Sequence, residues 1–151
     1  MSIDYEEYEK DCEKIRKENK KLLSKFEDWL VKKNLGQKTI NKHLGNIDFY
    51  INEYLLYDDM REPEEGVSFI NMFLGYWFIR KAMWSSESSI KGNASSLKKF
   101  YTFMQEIGRI DKKELEYLKI TINDNMSEWI NTLKRYDDPA ITDMEEVWGF
   151  K

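Results

Sequence analysis

Apolar residues recur along this chain in steps of three and four, the period of helices that each bury one face, and strand-like alternation of useful length is absent. Tyr8, Cys12, Ile15, Leu22, Phe26 and Trp29 keep that step, which predicts a first helix opening after Asp4 as N-cap and running to about residue 33. Asn34-Leu35-Gly36 is a stop signal. Ile40, Leu44, Ile47, Ile51 and Tyr54 form one stripe and predict a second helix over 38–57, followed by an acidic loop over 58–66. Ser68 is expected to cap a third helix that ends near the serines of 85–89. Its apolar run, Phe69 to Trp84, is 16 residues long and broken by Asn71, Gly75, Arg80 and Lys81. A membrane span needs about 20 residues, so the run reads as a central helix covered by its neighbours.

A fourth helix is expected over 89–107, with Ile90, Ala94, Leu97, Tyr101 and Met104 inward and Gly108 as its stop. Asp111 with Glu114 makes a capping pair for a fifth helix, and Met126, Trp129, Ile130, Leu133 and Tyr136 mark a sixth. Thr142 and Glu145 are placed to cap one last turn, after which Trp148 and Phe150 are expected to dock on the core. The fold class is therefore all-α, a compact bundle of about five or six helices forming one domain over 1–151.

Composition narrows the chemistry. The two prolines, Pro63 and Pro139, sit in acidic turn-like segments and leave the rest free to be helical. Cys12 is the single cysteine and His43 the single histidine, so no internal disulfide and no zinc site of ordinary ligand count is expected. The acidic start, Met-Ser-Ile-Asp-Tyr-Glu-Glu, is unlike a secretory signal, and a cytoplasmic location is expected. Asp58-Asp59 and Glu62 to Glu65 read as a solvated turn rather than a metal or acid–base site. No nucleophile–base pairing and no phosphate-binding glycine loop is visible. The expectation is a protein without catalytic apparatus or cofactor.

The net charge of -4 hides a strong alternation. Residues 1–13 carry -5, 14–43 carry +7 from 10 basic and 3 acidic side chains, 44–89 carry -5, 90–113 carry +4, and 114–151 carry -5. Both basic blocks contain the start of a predicted helix, where unpaired N–H groups and the dipole favour phosphate. The polar face of helix two carries Lys38, Asn41, Lys42, Gly45 and Asn46. Helix four carries Lys91, Ser95, Lys98, Thr102 and Gln105 on one flank, with Lys99 beside them. Such side chains hold phosphates or read base edges, although lysines on an outer helix face are commonly only solvated.

Two segments resemble parts of one known module. Phe26-Glu-Asp-Trp29-Leu30, then Leu35-Gly-Gln-Lys-Thr39-Ile40 and Ile47-Asp-Phe49 to Tyr54-Leu55, is similar to the first half of the SAM-like core-binding domain of tyrosine recombinases and phage integrases. Ser88-Ser-Ile90-Lys-Gly-Asn-Ala-Ser-Ser-Leu97-Lys-Lys-Phe100-Tyr101-Thr-Phe103, ended by Gly108, resembles that domain's last helix. The matched parts cover about 22–110, leaving 111–151 as an acidic helical extension. The resemblance implies a domain that clamps one face of duplex DNA. By position it implicates Lys38, Thr39, Lys42 and His43 on helix two, and Lys91, Asn93, Ser95, Lys98 and Lys99 on helix four.

Strand cleavage in that family needs a tyrosine nucleophile and a set of arginine, lysine and histidine side chains around the phosphate. His43 is followed by Leu-Gly-Asn, so the family's His-x-x-Arg element is missing. DNA contact without cleavage is the expectation, as in a mobile-element or recombination accessory factor. The alternative is a protein-interaction module built on the same bundle. The seam of helix one, where Asn19 sits between Ile15 and Leu22 like the polar position that specifies a coiled-coil pair, is expected either to fold back on the domain or to self-associate.

Overall fold

The computed structural model describes residues 2–141 and 144–148, with side chains from Tyr5 onward. Six helices and no strand occur among these residues. They are α1 (Ser2–Lys32), α2 (Gln37–Asp48), α3 (70–81), α4 (Glu87–Glu106), α5 (Lys112–Asp137) and α6 (Met144–Trp148). No helix of the described residues is long and apolar enough to cross a membrane.

Helix one starts earlier than expected: Asp4 lies inside α1 rather than capping it. The stop after it is made by Asn34, whose φ of 62° is left-handed, and Gly36 instead serves as the extended N-cap of α2. The expected stripe of helix two is buried at Ile40, Ile47, Ile51 and Tyr54. Beyond Asp48 the chain winds on as a wider π-turn over Phe49–Tyr54. Ser68 caps nothing, because it falls within a 3-10 helix over Pro63–Phe69. That helix opens on a Glu62–Glu65 capping box with Pro63 at its first position.

α3 is not uniform either. A π-turn over Phe73–Trp77 interrupts it, and it stops at Lys81, before the serine cluster. The polar breaks in its apolar sequence have a packing reason. Asn71 Oδ1 accepts from Trp129 Nε1 at 2.7 Å, and a Cβ on Gly75 would stand 2.7 Å from Trp129 Cδ1. Both positions therefore serve the close approach of α5.

α4 opens on Ser86, whose hydroxyl accepts from the Ser89 amide at 3.1 Å, and ends at Gly108 with φ 79°. Asp111 and Glu114 form the expected capping box, with the Glu114 amide donating to Asp111 Oδ1 at 2.8 Å. The fifth and sixth predicted helices are one continuous helix of 26 residues. No proline or glycine interrupts it, and Leu115, Leu118, Ile122, Trp129 and Leu133 stay in register on its buried face. Trp148 docks as expected, 4.6 Å from the Tyr76 ring and 5.7 Å from Tyr136. Thr142 and Phe150 lie outside the described residues.

The core is one connected cluster reaching from Leu22 to Leu133. Phe26 of α1 meets Phe100 and Phe103 of α4, and Tyr50 and Tyr54 meet Phe73 across the two wide turns. Cutting any of these buried rings back to alanine would cost about 3–5 kcal/mol.

Of the two uses expected for the seam of helix one, folding back on the domain is the one present. Asn19 is buried and donates to Asn52 Oδ1 at 2.8 Å, Tyr8 Oη donates to the Leu56 carbonyl at 2.7 Å, and Cys12 is buried. The polar seam position pairs with the end of helix two of the same chain, so that face is not open to a second copy.

Candidate functional site

The two basic segments, about fifty residues apart in sequence, meet where α2 packs on α4. The junction is polar and centred on Ser96. Its hydroxyl donates to the Gly92 carbonyl at 3.1 Å and accepts from Asn46 Nδ2 at 3.0 Å. His43 Nδ1 lies 2.7 Å from the same oxygen. Ser96 has one hydrogen and gives it to Gly92, so Nδ1 of a neutral His43 carries the proton that completes the triangle.

Burial is the main reason that the His43 pKa lies below its ordinary value, and the nearby Lys99 charge lowers it further. The sign of the pH effect follows. Between the lowered folded value and about 6.5 the unfolded chain binds a proton that the folded chain does not. His43's contribution to stability is complete above about 6.5 and is lost as pH falls through the lowered folded value. Denaturant melts over that window should show a slope that is absent from His43→Asn, this being the chain's single histidine.

Most of the expected contact residues face water. Lys38, Thr39, Asn41 and Lys42 are exposed on α2, and Lys91 and Ser95 on α4, while Lys98 and Lys99 are half-buried. His43 and Asn93 are different: they are 7 % and 3 % exposed. His43 holds α2 to α4, and Asn93 donates to the Ser89 carbonyl at 2.9 Å. Lys91 forms an ion pair with Glu87 at 2.9 Å, and Lys134 approaches the same carboxylate at 4.0 Å. Lys38, Lys42, Lys98 and Lys99 form no ion pair among the described residues.

The basic surface is wider than the two segments indicate. A cleft of about 420 Å³ is lined by Trp29, Lys33 and Leu35 together with Lys98, Lys99 and Thr102 of α4. Lys33 Nζ sits 4.9 Å from the Trp29 ring centre. Lys98 also lines a second cleft of about 410 Å³ with Lys119, Ile120 and Asn123 of α5. The acidic extension thus meets Lys98 with a lysine. α6 docks near Tyr136, which a rise of 1.5 Å per residue places roughly 25 Å along α5 from Lys119.

Lys33 and Lys119 were not singled out in the sequence. Lys33 was legible in principle, because it lies within the +7 block and follows Trp29 by one turn at the end of the first predicted helix. Lys119 was not, because it lies in a segment whose net charge is negative and only the packing of α5 on α4 brings it to Lys98.

The class the fold defines is an all-helical bundle with one basic junction. The chain matches no protein-family model, no curated protein and no solved structure.

Proposed function

We propose that this chain binds duplex DNA without cutting it, through the joined outer faces of α2 and α4. The observation that carries this reading is the His43–Ser96–Asn46 junction, which fastens to each other the two helices that bear these lysines. Lys38, Lys42, Lys98 and Lys99 hold backbone phosphates, and the exposed Thr39, Asn41 and Ser95 reach phosphate or base edges. His43 acts as a positioning residue that fixes α2 to α4 rather than touching DNA, and Asn93, bonded within α4 to the Ser89 carbonyl, turns inward. Lys91 contributes less, since Glu87 already neutralises it. In this reading the chain is a recombinase-type core-binding domain acting as an accessory factor of a mobile element.

Each phosphate neutralised changes log K by about -0.9 per unit of log salt. Four lysines then give a slope near -3.6, or about 100-fold weaker binding between 50 and 200 mM salt. Electrophoretic retardation of a short duplex by the full chain at about 50 mM salt is the test, with retention that fades on that slope as the expected result. No retention of any duplex at that salt contradicts the proposal.

A further inference from the structure

A cleft of different chemistry opens at the far end of α2, between its wide turn and the residues that follow α3. Its volume is about 420 Å³, within the range of about 300–1,000 Å³ usual for ligand sites. Phe49, Phe78 and Trp84 line it together with Asp48, Glu53 and Asn93. Trp84 is set edge-on to Phe49 at 5.4 Å and to Phe78 at 6.3 Å, yet it remains 59 % exposed. Its neighbour Met83 is 98 % exposed. Two consecutive large apolar side chains therefore stand in water beside a pocket with an aromatic floor.

The polar groups of this cleft lack a positive partner. Neither Asp48 nor Glu53 forms an ion pair among the described residues. Asn93, almost fully buried, donates to the Ser89 carbonyl, and Asn46 donates to Ser96, while the Oδ1 of each meets no donor. Elsewhere the chain supplies its own cations to aromatic faces: Lys33 over Trp29, Arg61 over Phe69, Arg80 over Tyr76 and Lys81 over Tyr57. No cation of the described residues lies over Trp84. Carboxylates, free carbonyl acceptors and an open indole together are complementary to one group above others, a planar guanidinium that stacks on the ring and forks its N–H donors to carboxylate.

We propose that this cleft receives an exposed arginine of a protein partner, stacked on Trp84 and hydrogen-bonded to Asp48 and Glu53, with apolar residues beside that arginine covering Met83. Phosphate would be repelled here, so the cleft and the basic junction serve different partners.

The test uses the full 15N-labelled chain without DNA, so that its outcome is separate from that of duplex binding. The probe is a capped pentapeptide with one central arginine between leucines, and its control carries citrulline, the neutral isostere. Saturable shifts of the Trp84 indole resonance, assigned with Trp84→Phe, and of the Gly45 and Phe49 amides are expected with the arginine peptide. The citrulline peptide should bind at least about tenfold more weakly, as should Asp48→Asn with Glu53→Gln. A Cβ at Gly45 meets nothing within 4 Å, so Gly45→Leu should fold normally and still block the cleft. Equal response to both peptides, no saturable shift at Trp84, or unaltered binding by folded Gly45→Leu would overturn the proposal.

Discussion

Replacing Lys38, Lys42, Lys98 and Lys99 together by glutamate is expected to abolish duplex retention while leaving the bundle folded. None of the four is buried or engaged in an ion pair among the described residues, so their replacement breaks no ion pair and opens no cavity in the core. Each reversal replaces an attraction to phosphate by a repulsion, and the loss at about 50 mM salt should exceed about 100-fold. Lys91→Glu is the comparison. Glu87 already occupies that ammonium at 2.9 Å, so the single change should weaken binding far less than Lys98→Glu does. Fluorescence anisotropy of a labelled duplex measures both. Lys99→Glu carries an internal check, because the Lys99 charge helps to lower the His43 pKa. Reversing it should move that titration upward. Full retention by the fourfold variant would show that DNA, if bound, lies elsewhere.

The second large effect concerns stability. Gly66 lies buried beneath two tyrosines, and its carbonyl accepts from Tyr50 Oη at 2.6 Å. Tyr101 Oη donates to the Pro63 carbonyl at 2.6 Å. A Cβ on Gly66 would run into Tyr101 Oη and stand 2.9 Å from Tyr50 Cε2 and 3.1 Å from Leu55 Cδ1. Neither ring can retreat, since both are fully enclosed, and the same burial pushes both phenol pKa values well above their ordinary range. Gly66→Ala should therefore cost about 3 kcal/mol by overpacking, a fall of roughly 6–12 °C in Tm for a chain of this size. Tyr101→Phe leaves the Pro63 carbonyl without its donor and should cost about 1–3 kcal/mol alone. It also removes the clashing oxygen, so the double variant should lose clearly less than the sum. Additivity within about 0.5 kcal/mol would contradict this account of the site.

The helices whose faces are plainly two-sided were legible in the sequence. Ile40 to Tyr54, Ile90 to Met104 and the Asp111–Glu114 cap stand as read, because spacing and capping are local properties of the chain. Errors arose where tertiary contacts overrule local signals. Asn71 and Gly75 looked like interruptions of an apolar helix, yet they are the seat for Trp129, a partner more than fifty residues away. Asn19 had the spacing of a pairing position and found its partner, Asn52, within the same chain. The fifth and sixth helices were expected apart, yet Asn123, Asp124 and Asn125, on an exposed or half-buried face, do not stop a helix whose buried face continues. For the site, charge blocks identified the two lysine segments. They could not reveal that His43 and Asn93 turn inward, that Glu87 takes Lys91, or that α5 contributes Lys119.

The most direct test is to map a short DNA duplex on the 15N-labelled chain by amide shifts at low salt. Shifts concentrated at Lys38 to Lys42 and at Ser95 to Lys99, with little change at Trp84 or along α6, are what the joined basic face predicts. Shifts confined to other surfaces, or none at all, would contradict it.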